Sequence, residues 1–342
     1  MKNGSASHNK IKDAEGLLRF GISFQVSHIL FESVRIGIFD EIGNKTVPAS
    51  VLAKTLNLSG DALLRFLRVL HEIDLVEKQG DMYKNTELSK KYLRRGEKAY
   101  LGDFFTHLES LQAPWLRLQT SLKTNRMIVP DKKRLSAYPD QLRRFLLAMH
   151  AVGQIKSEYI KRIFSIHRYR NMLDLGGGTG TYAVSFAKEN RNLRATVFDL
   201  KTVVPHAKSY IKRAGVQNRI KVMSGQCLYD TFPQGPYDLV FISNLLHVYD
   251  TLDCKKIINK AAGVLVEKGT LLIHDYILGC GDTFAVSLFD MNMLIGTPQG
   301  RCHGRREIES WMRSTGVSKI RTAEVLAGTS IMWGEKIVNR DS

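Results

Sequence analysis

The sequence lacks long apolar runs, closely spaced cysteines and internal repeats. No stretch reaches the roughly 20 apolar residues that a transmembrane helix needs, and the first ten residues show no apolar core of a signal peptide. The four cysteines, Cys227, Cys254, Cys280 and Cys302, are widely spaced and form no CxxC pair. These absences argue against membrane-spanning, disulfide-scaffold and zinc-ribbon proteins. They predict a cytoplasmic protein with reduced thiols and no metal site.

Acidic residues are also scarce. The chain has 33 Asp and Glu against 50 Lys and Arg, a formal net charge of +17. The excess is spread along the chain, with small clusters at Lys90-Lys91, Arg94-Arg95 and 132–134. Such a charge attracts nucleic acid, anionic membranes or acidic substrates. No aromatic residues interleave with the clusters, so we interpret the charge as a solvated basic surface and do not expect a nucleic-acid partner.

The first part of the chain predicts a winged helix. Apolar residues recur at helical spacing over residues 17–42 and in two shorter segments that follow. Residues 75–84 then predict a β-hairpin around a Gln-Gly-Asp turn. We predict a mainly helical winged-helix domain over residues 1–100. A helical linker that covers the substrate cleft is predicted over residues 101–165.

From about residue 170, strand-like and helical patterns alternate. The strand candidates are 171–175, 195–199, 220–224, 238–242 and 270–277. The helical candidates are about 181–190, 202–214, 251–264 and 284–295. This alternation indicates a parallel, doubly wound sheet. The predicted fold class is therefore α/β, with a Rossmann-like doubly wound sheet over residues 166–342.

A glycine-rich run, Asp174-Leu-Gly-Gly-Gly-Thr-Gly180, follows the first of these strands. Strand, glycine turn and helix in this order let the backbone approach a nucleotide-like ligand at a helix N-terminus. Two spacings fit. From Gly178 to Ala183 the run matches the dinucleotide pattern G-x-G-x-x-A. Counted from Gly176, it places G-x-G-x-G after the acidic Asp174 and resembles the first motif of class I S-adenosylmethionine (SAM) methyltransferases.

Two further polar residues lie at predicted strand ends, where ligands bind in open α/β sheets. Asp199 ends the second strand, and its carboxylate can accept hydrogen bonds from both hydroxyls of a ribose. This suits SAM and NAD equally, whereas Asp174 favours SAM, whose ammonium group it can meet. His247 follows the fourth strand, where a neutral imidazole can take the proton of an attacking hydroxyl.

Apolar and polar side chains elsewhere are candidates for an acceptor pocket, although helix packing explains each apolar one equally well. The predicted pocket residues are Trp115, Phe145, Met149, Phe289, Met293 and His303. His274 and Asp275 are additional polar candidates. No pair of these histidines has the spacing of metal ligands.

Over residues 15–337 the chain resembles one enzyme family. The matching segments are Gly37-Ile-Phe-Asp, Leu52-Ala-Lys-Thr-Leu-Asn-Leu, Leu64-Arg-Phe-Leu-Arg-Val-Leu, the glycine run, Asp199-Leu, Leu246-His247 and Asp275-Tyr-Ile-Leu. They are similar to small-molecule O-methyltransferases that join a winged-helix dimerisation domain to a class I SAM domain. Caffeate-type, hydroxyindole, and bacterial polyketide and bacteriochlorophyll-pathway enzymes belong to this family. The resemblance implies SAM as cofactor, a small aromatic acceptor, and a homodimer formed by helix exchange.

The resemblance also implies roles for single residues. His247 is the general base and Asp275 flanks the site, so these two are the predicted catalytic residues. The segment from Ser224 to Leu228 is implied to contact adenine. The predicted cofactor-binding residues are Asp174, Gly176, Gly178, Gly180, Asp199, Leu200, Gly225, Gln226, Cys227 and Ser243.

The chain departs from the family pattern at three places. Gln226 replaces the usual Asp after Gly225, and Val248 replaces the Asp that usually follows the catalytic His. The usual Glu of the Gly-Gly-x-Glu-Arg-Thr segment falls at Cys302. His247 is therefore expected to lack one of the carboxylates that usually support it. This departure motivates C-methylation as an alternative to O-methylation. The net positive charge motivates a second alternative, a SAM-sensing DNA-binding regulator. The dinucleotide spacing from Gly178 motivates a third, a dehydrogenase.

Overall fold

The computed structural model describes residues 11–128 and 138–337. These form two compact units that divide between Gln112 and Ala113. The finer boundaries at 100/101 and 165/166 stay a prediction, and the basic cluster at 132–134 lies outside the described residues. No helix within the described ranges combines the length and apolar character that crossing a membrane requires.

The first unit is mainly helical with a small three-stranded sheet. Its helices are α1 (Ala14–Ile36), α2 (Ile38–Ile42), α3 (Ala49–Thr55), α4 (Gly60–Glu72), α5 (Glu87–Tyr92) and α6 (Gly102–Ser110). Its strands are β1 (Val47–Pro48), β2 (Val76–Gln79) and β3 (Met82–Asn85). The β2–β3 hairpin and the helices before it confirm the predicted winged helix.

One glycine changes the predicted course of the first helix. The sequence predicts one helical segment over 17–42, but Gly37 adopts a left-handed φ of 76° and separates α1 from α2. Its amide caps the carbonyls of Ser33 and Val34 at the end of α1. The core of this unit includes Leu63, Leu67 and Leu70, which share one face of α4.

The second unit contains the large sheet. Its helices are α7 (Gln112–Trp115), α8 (Leu118–Thr124), α9 (Pro139–Ile163), α10 (Thr181–Glu189), α11 (Val204–Arg213), α12 (Thr251–Gly263), α13 (Thr283–Gly296) and α14 (Arg305–Ser314). Its strands are β4 (Asn171–Leu175), β5 (Arg194–Asp199), β6 (Ile220–Ser224), β7 (Tyr237–Ser243), β8 (Leu265–Leu278), β9 (His303–Gly304), β10 (Val317–Leu326) and β11 (Thr329–Lys336). The strand order is β10-β11-β8-β7-β4-β5-β6. The five strands from β8 to β6 are parallel, and β10 and β11 add an antiparallel edge.

Both faces of this sheet are apolar. Successive residues of a strand point to opposite faces, so Leu239 and Phe241 of β7 enter one core while Val240 and Ile242 enter the other. Residues of α10 and α11 complete the first core, and residues of α12 and α14 complete the second. Helices on both faces confirm the predicted doubly wound α/β fold.

The chain reverses its direction of travel across the sheet beside β4. From β4 it proceeds to β5 and β6, and then crosses to β7 on the other side of β4. Such a switch point opens a crevice at the carboxyl ends of the strands, which is where ligands bind in folds of this type. The glycine run follows β4, and His247 lies on a short 3₁₀ helix, Leu246–Val248, shortly after β7.

Candidate active site

The glycine run forms a tight turn between β4 and α10. Gly176, Gly178 and Gly180 have left-handed φ values of +65°, +58° and +75°, a conformation that costs other residues free energy. A Cβ atom on Gly176 would also lie 2.9 Å from Cδ1 of Leu245. A side chain at Gly176 would therefore require Leu245 to shift. Bare backbone at the start of a helix is suited to close approach by a ligand.

Asp174 is buried beneath this turn. Its side chain has no exposed surface, and neither carboxylate oxygen has a hydrogen-bond partner among the described residues. A Cβ atom on Gly177 would lie 2.7 Å from its Cγ. Burial raises the pKa of Asp174 to about 7, the Asp199 carboxylate adds to the increase, and the Ala183 amide opposes it. An unpartnered buried carboxyl group at this position fits a site for a cationic ligand.

Asp199 ties the glycine turn to the neighbouring strand. One of its carboxylate oxygens accepts a hydrogen bond from the Gly178 amide at 2.7 Å, and the other accepts one from the Leu200 amide at 2.6 Å. Burial raises the pKa of Asp199, and these two amide hydrogen bonds oppose that increase. A carboxylate has about four acceptor positions. Asp199 therefore keeps capacity for a ligand's hydroxyl groups.

The other predicted cofactor residues lie along the same edge of the sheet. Gly225, directly after β6, donates its amide to the Asp199 carbonyl at 2.9 Å. Gln226 and Leu200 are exposed, whereas Cys227 is buried and burial raises its thiol pKa to about 12. Ser243 lies deeper, and its hydroxyl shares a hydrogen bond of 2.8 Å with Nδ1 of His274.

Asp275 accepts four hydrogen bonds and fixes the His247 ring. Its Oδ1 accepts from Nδ1 of His247 at 2.6 Å and from the Tyr276 amide at 2.8 Å. Its Oδ2 accepts from the amides of Leu246 at 3.1 Å and His247 at 3.4 Å. Burial alone would raise the pKa of Asp275, but His247 and the Tyr276 amide keep that pKa below its ordinary value. Because an ionised carboxylate only accepts, the proton lies on Nδ1, and Nε2 carries the free lone pair.

No carboxylate occupies the position of Cys302. Its thiol is buried and contacts the Val286 carbonyl at 3.8 Å, and its amide donates to Oδ1 of Asp290 at 2.6 Å. The segment packs closely against His247, since a Cβ atom on Gly300 would lie 2.5 Å from the His247 carbonyl oxygen. Among the described residues, Asp275 is the carboxylate within ion-pair distance of His247.

Two predicted pocket residues lie on α13. The ring of Phe289 meets His247 edge-on, with 4.9 Å between ring centroids. Met293 follows one turn later. Trp115 reaches the same helix, where its indole Nε1 donates to Oδ1 of Asn292 at 2.6 Å. Nothing in the sequence marked Asn292 as a residue of this region, because its hydrogen bond is to a residue 177 positions away.

The remaining predicted pocket residues lie on α9 and β9. Phe145 packs against Leu142, Leu146 and Val203, and Met149 follows it by one turn. His303 is buried, and its Nε2 lies 3.0 Å from the Tyr249 carbonyl and 3.3 Å from the Cys254 thiol. Those contacts engage Nε2 within the protein.

Lys156 and Tyr276 are two polar residues of this region that sequence analysis missed. Tyr276 directly follows Asp275 and stacks on Phe289, with 3.7 Å between ring centroids. Lys156 lies on α9 and is only 3% exposed. Its Nζ is 3.5 Å from Oη of Tyr276. A lysine in a helical pattern ordinarily indicates a solvated face, so nothing in the sequence marked this one as buried.

Within the described part of the chain, no group of three His, Cys, Asp or Glu residues is arranged to hold a metal ion.

Two family models match the chain. One describes an O-methyltransferase domain and matches residues 134–318. The other describes an O-methyltransferase dimerisation domain and matches residues 19–95.

Similar proteins cover nearly the whole chain. The tetracenomycin polyketide synthesis 8-O-methyl transferase TcmO of Streptomyces glaucescens is 25% identical over 336 residues, 96% of this chain and 98% of that protein. The 3-hydroxy-5-methyl-1-naphthoate 3-O-methyltransferase of Streptomyces sahachiroi is 26% identical over 299 residues, 86% of each chain. Human N-acetylserotonin methyltransferase, solved in complex with SAM, matches with a TM-score of 0.85 at 20% identity. That match covers 99% of this chain and 100% of the human one, and it establishes the fold.

We expect Asp174→Asn to change how stability depends on pH. With a pKa of about 7 in the folded protein, Asp174 keeps a proton that the unfolded chain releases near pH 4. The carboxyl group therefore stabilises the fold at low pH, and this contribution is lost as the pH rises toward about 7. Because asparagine cannot ionise, the free energy of unfolding of the variant relative to wild type should increase by up to about 4 kcal/mol over this range.

Urea unfolding of the ligand-free protein between about pH 4 and about pH 8 measures this difference. Asp61→Asn, which removes an exposed carboxylate of α4, is the control and should follow the wild-type profile. Parallel profiles for Asp174→Asn and wild type would contradict the prediction.

Proposed function

Because the chain belongs to the O-methyltransferase family, whose domain model covers more than half of it, we propose that His247 is the general base for methylation of a small aromatic acceptor at a hydroxyl group. The chain is a SAM-dependent methyltransferase. The cofactor that the glycine spacing left open is therefore SAM, not a dinucleotide. The observation that carries the base assignment is the 2.6 Å contact between Nδ1 of His247 and Asp275.

The residues at the carboxyl edge of the sheet fit this cofactor. SAM supplies a methyl group attached to a positively charged sulfur. We propose that the glycine turn accommodates the cofactor's closest approach, and that Asp199 holds its ribose with the acceptor positions that Gly178 and Leu200 leave free. Asp174, buried under the turn without a hydrogen-bond partner, supplies negative charge to a cationic ligand. Residues Gly225, Gln226 and Cys227 are proposed to contact the adenine.

His247 is positioned to remove the proton of the acceptor. Asp275 fixes the proton on Nδ1, so Nε2 has the lone pair that accepts the acceptor's proton. A phenol has a pKa near 10, so a base is useful near neutral pH. The imidazolium that forms is then stabilised by the buried Asp275 carboxylate, whose charge acts strongly at low exposure. A second carboxylate at position 302 is not needed for this step.

An aromatic acceptor agrees with the pocket candidates and with the relatives. Trp115, Phe145, Met149, Phe289 and Met293 offer flat or flexible apolar surfaces, and Phe289 touches the base itself. The names of the two Streptomyces relatives specify tetracenomycin polyketide synthesis and a hydroxy-methyl-naphthoate. The buried free thiols agree with the predicted cytoplasmic location.

The dimerisation domain supports a homodimer, and α1 provides the surface that we propose for it. Leu18, Phe20, Ile22 and Phe24 of this helix are between 56% and 72% exposed in a single chain. Apolar side chains from α1, α5, α6 and the segment between α4 and β2 also line a groove of the same unit; they include Leu30, Leu75 and Phe105. An apolar helix beside an apolar groove is suited to exchange between two identical chains.

We expect His247→Ala to lower turnover by about 10²–10⁴-fold while leaving cofactor binding nearly intact. The reason is that His247 acts on the acceptor's proton, whereas the glycine turn and Asp199 hold the cofactor. Turnover with labelled SAM and calorimetric titration with S-adenosylhomocysteine measure the two effects separately. His167→Ala, at an exposed position, should change neither. Unchanged turnover in His247→Ala would exclude the general-base assignment.

The position of the transferred methyl group separates O-methylation from C-methylation. C-methylation is the alternative because Val248 and Cys302 stand where acidic neighbours of the base are usual. We expect a product in which an isotope-labelled methyl carbon is bonded to oxygen. Nuclear magnetic resonance of the product distinguishes a methoxy carbon from a ring methyl. A labelled methyl group bonded to carbon would contradict O-methylation and support C-methylation.

We expect Leu18→Asp combined with Phe24→Asp to convert the dimer into a monomer. Charges on these exposed apolar positions would have to be buried in the proposed interface, which is costly without partners. Light scattering during size-exclusion chromatography measures the mass. Gln79→Asp, at the exposed end of β2, adds a negative charge elsewhere in the same unit; it is the control and should remain dimeric. A doubly substituted protein that keeps the wild-type mass would rule out α1 as an essential interface.

A further inference from the structure

A buried lysine lies beside the His247–Asp275 pair. Lys156 is 3% exposed and sits two helical turns after Met149 on α9. Its Nζ lies 3.5 Å from Oη of Tyr276, the outer limit of a hydrogen bond, and 4.9 Å from the centre of the Tyr276 ring. Tyr276 stacks on Phe289, and Phe289 meets His247 edge-on at 4.9 Å. Each of these four side chains therefore contacts the next, in the order Lys156, Tyr276, Phe289 and His247.

The charge of Lys156 has no counter-ion within reach. Among the described residues, no carboxylate oxygen lies within 4.0 Å of its Nζ, and Asp275 already accepts four hydrogen bonds from other donors. Burial of an unpaired ammonium group costs several kcal/mol unless an anion joins it. Burial accordingly lowers the pKa of Lys156 to about 8, an effect that the Asp275 charge opposes.

Tyr276 adds a second donor next to this cation. Burial raises its pKa to about 12, so the phenol keeps its proton near neutral pH. Its oxygen accepts from Lys156, which leaves its own O–H free to donate. An ammonium group and a neutral O–H that lie side by side can both donate to one anionic oxygen. Hydrogen bonds in which a partner is ionised are stronger than those between neutral groups.

We propose that Lys156 and Tyr276 bind an anionic oxygen carried by the acceptor, so that the substrate class is an acidic hydroxyaromatic compound. The anionic oxygen is either a carboxylate or a second, ionised hydroxyl beside the one that is methylated. This assignment rests on the proposed function, because it places the acceptor against His247. Lys156 contacts the substrate's anion and orients its reacting hydroxyl toward Nε2 of His247.

The test compares three probes that differ in one group: a hydroxynaphthoate, the matching hydroxynaphthamide and the matching dihydroxynaphthalene, each with its two groups on adjacent carbons. Binding is measured by calorimetric titration in the presence of S-adenosylhomocysteine. The hydroxynaphthoate is an anion near neutral pH, whereas the dihydroxynaphthalene has to lose a proton on binding. We expect wild type to bind at least one of these two probes about 10-fold or more tightly than the neutral amide, the range for a charge-assisted hydrogen bond. The tighter of the two acidic probes identifies carboxylate or hydroxyl as the anion.

Lys156→Met should abolish this preference and leave amide binding within about 3-fold of wild type, whereas Lys156→Arg should keep most of it. Arginine cannot act as a base, so retained preference and turnover in Lys156→Arg also separate anion binding from proton removal by the lysine. Lys161→Met, at a lysine of the same helix that pairs with Glu158, is the matched control and should bind all probes like wild type.

The proposal is overturned if wild type binds all three probes equally or binds none of them. This outcome is measured on wild type alone, so it does not depend on whether a variant folds. A preference that persists in Lys156→Met also overturns it. The proposed function fails differently. If wild type prefers the acidic probe but transfers no labelled methyl to its oxygen, anion binding stands and the base assignment falls. If wild type methylates only neutral acceptors, the general-base assignment stands and the anion-binding proposal falls.

Discussion

The Asp275 carboxylate holds together the part of the molecule on which the chemistry depends. It spans two adjacent strands of the sheet, because it belongs to β8 and accepts the amides of Leu246 and His247 that follow β7. The same group fixes the imidazole through Nδ1. A carboxylate buried this completely is tolerated because every acceptor position is used. Removing it would release the ring and the 3₁₀ turn together.

The parallel sheet brings the other site residues to the same edge as that carboxylate. Both faces of the sheet are covered by apolar cores, so the strands are fixed in register and their carboxyl ends form one edge. The glycine turn, Asp199 and His247 each follow a different strand at this edge. Bare backbone at Gly176 matters for the same reason, since Leu245 after β7 lies against it and leaves no room for a Cβ atom.

Local patterns in the sequence predicted the fold and the edge of the sheet well. The five parallel strands and the helices between them lie within a few residues of their predicted positions, with β8 extending further than predicted, because hydrophobic periodicity and glycine turns are local signals. The break at Gly37 was missed because the flanking residues keep helical spacing. Lys156, Tyr276 and Asn292 were missed because their significance arises from contacts across about 120 and 177 positions of sequence, which no local pattern encodes.

The balance of charge around His247 follows from these long-range contacts. In the proposed mechanism, proton removal by His247 creates a positive imidazolium, which the Asp275 carboxylate at 2.6 Å stabilises. With Cys302 and Val248 in place of acidic residues, no further carboxylate in the described part of the chain pairs with the base. The ammonium of Lys156 is then a positive charge without a partner in a site whose negative charge is already used. An acceptor that brings its own anion supplies that partner, whereas a neutral acceptor leaves the lysine buried and unpaired. Val248 and Cys302 thus leave Asp275 as the carboxylate beside His247, and the proposed acceptor anion is the group that would pair with Lys156.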